Sequence, residues 1–483
     1  MVELLKNYIK GEWVEAKGKE TLDVVNPATL EILAKVPKSN KEDVEAAIKA
    51  AKEATWEWRC TPPATRVRYL YEYRSLLDEN FEEIAEIIVK ENGKTLDEAR
   101  GDIKRGIETV ELSTGIPTMM LGDIEWDVAK GIDESYCREP LGICVGLTPY
   151  NFPAMIPLWF LPMAIACGNT FILKPSSQVP LTAQRLIQLA DEAGFPLGVV
   201  NLVNGSRDVS DALLSSHDVK SVSFVGSSAV ARHIYKKAAE TGMRAQCQGQ
   251  AKNFIVIMPD TDMKNTISAS ITSACGCTGQ RCLAGENFVP VGEAYEPFKK
   301  ALLEAASKVK VGYGLDSDTQ MGPLASEGQL QTVLKYIQKG IDEGATLILD
   351  GRRVKSEKYP RGYFIGPTIF DNVTPNMTIF KEEIFGPVIG ITRVTTLDEA
   401  IKLANTSVYG NAAAIFTTNG KTAREFTYKV DAGNIGINIG VPAPIAFFPF
   451  GGYKESFFGD LHGQGMDGVE FYTQKKIAIT RWF

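Results

Sequence analysis

Between residues 144 and 248, five short β-rich runs alternate with helix-length segments, and this alternation restricts the architecture more than any other feature of the chain. The runs lie at 144–149, 170–175, 199–203, 221–225 and 244–248, with the intervening segments near 154–167, 181–193, 208–216 and 228–240. Strands a helix's length apart cannot be joined by tight hairpins, so they pair in parallel through right-handed crossovers. The expected product is a doubly wound α/β sheet of the nucleotide-binding kind. Ligands of such sheets sit beyond the carboxyl ends of the strands, where helix N-termini offer unpaired N–H groups to phosphate. Lys174 and Ser176 follow the second run, and Phe224-Val-Gly-Ser-Ser228 closes the fourth. A second strand-and-helix series starts at Asn253-Phe-Ile-Val-Ile-Met-Pro-Asp260 and continues to about residue 440.

Composition narrows the partners. The 483 residues carry 52 Lys plus Arg against 59 Asp plus Glu, so the net charge is −7, and no Lys/Arg block interrupts the balance. That pattern lacks the positive footprint that nucleic acid or an anionic membrane attracts. At roughly 100 to 200 residues per domain the length allows about three domains or sub-domains and a large core without staples. The first eleven residues have no signal-peptide core, so export is not expected. The most apolar stretch, 154–167, is too short to span a bilayer and contains Pro157 and Pro162, which makes it a candidate buried helix. Eight cysteines without a secretion signal fit a reducing compartment, and a cytoplasmic location is expected.

Thr95-Leu-Asp-Glu98 is a capping-box pattern opening a helix whose apolar stripe is Leu96, Ala99, Ile103, Ile107 and Val110. Arg105 falls opposite that stripe and reads, by periodicity alone, as a solvated surface arginine. Residues 118–138 alternate weakly, as a hairpin would, and the chain ends in an aromatic-rich stretch at 447–453 and a β-like tail. A literal GxGxxG at Gly463–Gly468 lies outside the alternating unit and is set aside as a phosphate loop. Cys275, Cys277 and Cys282 lack zinc spacing, so no metal is expected, and three histidines give a Ser-His-Asp hydrolase little to build on. Cys282 is the best nucleophile candidate, in a polar Gly-containing loop beside Arg281, whose charge would favour the thiolate.

Five motifs in register carry a resemblance over nearly the whole chain. Pro149-Tyr-Asn-Phe-Pro153, Phe224-Val-Gly-Ser227, Gly279-Gln-Arg-Cys282, Glu382-Glu-Ile-Phe-Gly-Pro387 and Pro449-Phe-Gly-Gly-Tyr-Lys454 resemble the aldehyde dehydrogenase superfamily in order and spacing. Gly436-Ile-Asn-Ile-Gly-Val-Pro-Ala-Pro444, Phe447-Phe-Pro-Phe450, Ser456-Phe-Phe-Gly-Asp-Leu-His462 and Phe471-Tyr-Thr-Gln-Lys-Lys476 are similar to its CoA-acylating methylmalonate-semialdehyde dehydrogenase branch. The resemblance implies a Rossmann-like cofactor domain over 1–117 and 139–249 and an α/β catalytic domain over 250–445. It also implies a β oligomerisation arm made of 118–138 and 446–483, in a homo-oligomer, dimer or tetramer.

By the same resemblance Cys282 attacks the aldehyde and Asn151 holds the thiohemiacetal oxyanion. Lys174, Ser176 and Ser177 would lie beside the adenosine ribose, Phe224, Gly226 and Ser227 along the pyrophosphate, and Glu383 with Phe385 at the nicotinamide end. Ser177 stands where many NAD-preferring relatives have a glutamate; lacking that charge, it admits NADP as well as NAD. Gln248 stands where hydrolytic members have the glutamate that activates water, and a neutral amide is no general base. Coenzyme A is therefore the expected acyl acceptor, with Arg105 and Arg281 as the clamp for a substrate carboxylate. The implied activity is oxidation of malonate or methylmalonate semialdehyde to acetyl-CoA or propionyl-CoA with loss of CO2. The alternatives are a hydrolytic enzyme for another acidic semialdehyde, and a catalytically silent protein of the same fold.

Overall fold

The computed structural model describes residues 2–483. All five runs are strands: Ile143–Leu147, Thr170–Lys174, Val200–Leu202, Val219–Val225 and Arg244–Gln248. Numbered along the chain, they lie side by side in the order 5-4-1-2-3, every neighbouring pair parallel. The crossover helices are Met155–Ala166, Pro180–Glu192, Arg207–Leu214 and Ser228–Thr241. Strand order reverses between the first and fourth strands, and that reversal opens a crevice at their carboxyl ends. Antiparallel strands complete the sheet to eight, Asn7–Ile9 and Glu12–Val14 on one edge and Phe457–Phe458 on the other.

The second series forms a seven-stranded sheet. From one edge its strands are Thr346–Leu349, Thr368–Asp371, Val388–Ile391, Gly285–Pro290, Asn253–Ile257, Ala412–Phe416 and Asn434–Ile437. Only the first of these runs antiparallel to its neighbour. The carboxyl ends of the first sheet's strands face the amino ends of strands Gly285–Pro290 and Val388–Ile391 of the second, and the loops at these ends meet at the candidate site.

Two boundaries differ from the sequence expectation. Residues Ile116–Met119 are a helical turn, and the hairpin is Asp123–Ala129 with Ile132–Pro140, whose second strand also pairs with Thr473–Arg481. Pro117 near a helix start, where its missing N–H costs nothing, explains why 118 and 119 are not extended. The segment 446–483 is divided rather than wholly an arm. Phe457–Phe458 joins the first sheet, and Gly465–Tyr472 is a helix packed on Met155–Ala166. The unused GxGxxG supplies that helix: a Cβ on Gly468 would sit 2.5 Å from Met163, so this glycine serves close packing.

Every residue of Met155–Ala166 is buried, as expected of a helix that is apolar all round. Among the described residues no helix is long and apolar enough to cross a membrane. Helix Leu96–Thr114 packs across it, opened by the reciprocal Thr95–Glu98 capping box. Ala99, Ile103, Ile107 and Val110 of its stripe are buried, and Leu96 partly so. The two helices approach at Gly106, where a Cβ would lie 2.6 Å from Leu158 Cδ1, whereas Gly101 on the same helix faces open space. Gly106→Val should therefore cost about 1–3 kcal/mol by overpacking. Gly101→Ala should instead gain up to about 1 kcal/mol from helix propensity. Chemical denaturation of the two variants checks the pair, and equal effects would contradict this packing.

Candidate active site

Two cavities meet at one side chain. The first, of about 370 Å³, lies between helix Leu96–Thr114, the start of helix Met155–Ala166 and the 441–450 loop; Phe152, Met155, Trp159, Val441 and Phe450 give it an apolar wall. Arg105 and Arg281 lie in the same lining. The second, of about 570 Å³, occupies the crevice where strand order reverses, between Thr148–Asn151, Phe224–Ser227 and the Glu383–Phe385 loop. Among the described residues only Cys282 lines both.

The loop that carries Cys282 is held by strain and by amides. After helix Met263–Cys275 the chain passes through three consecutive left-handed residues, Cys277, Thr278 and Gly279, which turn it sharply ahead of strand Gly285–Pro290. A Cβ on Gly279 would come within 2.3 Å of the Gly386 backbone, so this turn also seats the 383–387 loop. The Cys282 carbonyl accepts from two buried side chains, Asn411 Nδ2 at 2.7 Å and Asn253 Nδ2 at 2.9 Å. Neither Asn253 nor Asn411 is among the site residues expected from the sequence. An asparagine on a strand carries no local signal of the carbonyl it will meet in the fold.

Removal from water pushes the Cys282 thiol up to about 12, and the Glu383 charge adds to the rise. Its own backbone N–H, Arg281 and the Asn411 amide act in the other direction and are outweighed. The expectation that Arg281 holds a thiolate is thus corrected for the ligand-free protein. Its guanidinium turns to Glu98, at 3.3 Å, and toward the Cys277 thiol. Glu98 also accepts from the Cys277 backbone N–H at 2.6 Å, so the capping box reaches into the nucleophile loop. Arg281 Nε is buried with no partner. Arg105, read from periodicity as a surface arginine, is held at the cavity by Glu108 at 2.7 Å and by the Pro444 carbonyl.

Asn151 is buried, and its Nδ2 donates to the Gln280 carbonyl at 3.0 Å, which ties it to the loop of Cys282. One of the two N–H groups of that amide stays free. In the second cavity Lys174, Ser176, Ser177, Phe224, Gly226, Ser227, Glu383 and Phe385 all line the wall. Burial brings the Lys174 ammonium down to about 8. Ser177 Oγ donates to the Gly205 carbonyl at 3.0 Å, and Arg207, not foreseen, lines the same end. Ser227 opens helix Ser228–Thr241 without a side-chain cap, leaving first-turn N–H groups for an anion. Burial, helped by the nearby Glu286, raises the Glu383 carboxyl to about 8, against a 3.0 Å hydrogen bond from the Ala251 N–H. Phe385 is held at φ +56°, its carbonyl accepting from Gln329 at 2.8 Å and its ring edge-on to Tyr150. Gln248 is buried but lines neither cavity, and its Nε2 has no partner.

No group of three or more His, Cys, Asp or Glu among the described residues is arranged to hold a metal. Cys282 thus stands between a cavity lined by two arginines and a crevice of about 570 Å³.

The similarities to known proteins agree with this geometry. The malonate-semialdehyde dehydrogenase of Halalkalibacterium halodurans is 50% identical over 480 residues, covering 99% of each chain. The crystal structure of the methylmalonate-semialdehyde dehydrogenase of Oceanimonas doudoroffii superposes with a TM-score of 0.98 at 42% identity, over 100% of this chain and 99% of that one. A Sinorhizobium meliloti protein assigned as a methylmalonate-semialdehyde dehydrogenase and complexed with NAD gives 0.98 at 41%, over 100% and 98%. Residues 13–478 match the aldehyde dehydrogenase family, and with a thiol at the junction of two such cavities this chain belongs to it.

Proposed function

We propose that this protein oxidises malonate or methylmalonate semialdehyde with NAD(P) and passes the acyl group to coenzyme A, releasing CO2 and giving acetyl-CoA or propionyl-CoA. The observation that carries the reading is the position of Cys282 between an arginine-bearing cavity and a dinucleotide-sized crevice. Names of full-length relatives at 50% identity support the substrate class.

In this reading Arg105 and Arg281 receive the substrate carboxylate. A guanidinium fork meets a carboxylate through paired N–H groups and so fixes its orientation, and the unpartnered Arg281 Nε is a donor awaiting such an acceptor. The clamp sets the aldehyde carbon against Cys282. The free N–H of Asn151 and the backbone N–H of Cys282 then hold the oxyanion of the thiohemiacetal, two fixed donors in a water-poor site. Lys174, Ser176 and Ser177 would hold the adenosine ribose, Phe224, Gly226 and Ser227 the pyrophosphate, and Glu383 with Phe385 the ribose and ring at the nicotinamide end. When bound, NAD supplies a cationic pyridinium that favours a thiolate beside it and accepts hydride. Gln248 offers no base to water, so the Cys282 thioester persists for the CoA thiol.

A hydrolytic reading draws on Glu383. It is the carboxylate in the lining of the crevice that holds Cys282, and a value near 8 suits a general base. Omitting one reagent separates the two readings. Without CoA, steady-state turnover on malonate semialdehyde should fall by about tenfold or more. Equal rates with and without CoA would favour hydrolysis.

The apolar side chains Ile124, Trp126, Val128, Ile477, Ile479 and Trp482 are exposed on the hairpin and the strand beside it, which supports a homo-oligomer built through this arm. All eight cysteines are free, which fits a reducing compartment such as the cytoplasm.

Two substitutions test the ligand ends. Arg105→Met should raise KM for the acidic semialdehyde by about tenfold or more while leaving propanal oxidation within about twofold. A parallel loss on both aldehydes would remove the carboxylate clamp from the account. Ser177→Glu should abolish use of NADP and spare NAD, because a carboxylate repels the 2′-phosphate and accepts from a free ribose hydroxyl. Unchanged NADP kinetics in this variant would show that Ser177 does not face the ribose.

A further inference from the structure

A buried ion pair lies directly behind Asn151, one member of which, Asp102, also belongs to the lining of the first cavity. Lys94 Nζ and Asp102 Oδ2 are 2.8 Å apart, and both side chains are wholly buried. The same ammonium donates to the Asn151 carbonyl at 2.8 Å and lies 4.2 Å from the centroid of the Phe152 ring. The other carboxylate oxygen, Oδ1, accepts from the Met155 backbone N–H at 2.7 Å. The pair thus grips both ends of the five residues 151–155, while the Asn151 amide reaches out to Gln280 in the loop of the nucleophile.

Stability alone does not account for such a pair. Desolvating two charges offsets most of their attraction, and an apolar pair of similar volume usually serves a core as well or better. What a buried pair with fixed hydrogen-bond partners supplies is registry. Lys94 is itself set rigidly. It follows Gly93, the left-handed end of helix Phe81–Asn92, and precedes the Thr95 capping box. Its backbone is pressed between Gly314 and Gly322, where a Cβ would meet the Lys94 and Gly93 carbonyls at 2.1 and 1.8 Å. The ammonium therefore transmits a fixed position from the second domain's loops to the backbone of Asn151.

We infer that Lys94 and Asp102 are positioning residues for the reaction, setting the height and rotation of Asn151 relative to Cys282. The inference rests on the reading of Asn151 as an oxyanion donor. Neither residue gives or takes a proton in the reaction; both act through the Asn151–Met155 loop. A displacement of the donor of about 1 Å is enough to cost about a hundredfold in rate.

A double-mutant cycle on the full-length enzyme tests this. The readouts are single-turnover NADH formation from malonate semialdehyde, NAD affinity by fluorescence, and the rate of Cys282 alkylation by iodoacetamide. Lys94→Met should slow the single turnover by about tenfold or more, with NAD affinity and alkylation within about twofold of the parent. In the Asn151→Ala background the same substitution should slow it by less than about threefold, because the group through which it acts is gone. An equal loss in both backgrounds, or no loss in the parent, would overturn the proposal. Asn151→Ala at the parental rate would instead overturn the oxyanion reading on which it rests. If Lys94→Met does not fold, Asp102→Asn runs the same cycle, since it keeps the acceptor for Met155 and removes only the charge.

Discussion

A single sulfur must be reached from two sides by ligands that share no chemistry, and the rest of the molecule is arranged around that demand. Cys282 cannot lie on a regular element, because a strand or helix would bury one side of it. It lies instead on a loop forced through three left-handed residues and then fastened by its carbonyl to Asn253 and Asn411. Those two amides come from neighbouring strands of the seven-stranded sheet, Asn253 at the start of one and Asn411 just ahead of the other. Cys282 is thus carried by a loop of the seven-stranded sheet and presented at the strand-order reversal of the eight-stranded one. Neither sheet alone forms the two cavities.

Electrostatics at the junction follow from burial more than from the nearest formal charge. Arg281 is next to Cys282 in sequence, yet Glu98 and the Cys277 thiol engage its guanidinium, and loss of water around the sulfur outweighs what attraction remains. The arginine kept in carboxylate company, with one N–H unsatisfied, is better suited to receive a second carboxylate than to activate the sulfur. Adjacency in sequence and adjacency of function are different things in this loop.

Two buried lysine–carboxylate pairs show how loops become as rigid as elements. Lys94 with Asp102 fixes the loop that carries Asn151, and Lys252 with Glu286 lies under the loop that carries Glu383, where Glu286 also accepts from the Ile384 N–H at 3.3 Å. Each pair is buried and stands behind a loop that lines the second cavity. In both cases a hydrogen-bonded charge sets backbone position at a depth where a water-exposed loop would drift.

Period and propensity alone were enough for the five strand segments, the all-apolar helix near 154–167 and the Thr95 capping box. All of these depend on neighbours a few residues away. Motif spacing pointed to Cys282, Asn151 and the residues that line the crevice. Periodicity could not separate Arg105 from a solvated arginine, since what holds it at the cavity is the Pro444 carbonyl more than 300 positions along the chain. Nor could it foresee Asn411, Arg207 or the Lys94–Asp102 grip on Asn151. Only the tertiary structure decided the protonation of the thiol, the partner of Arg281 and the meeting of two cavities at one side chain. The reason is physical: helix and strand formation are governed by the chain's own local hydrogen bonds, whereas desolvation and charge pairing depend on whichever distant residues the fold brings within a few ångströms.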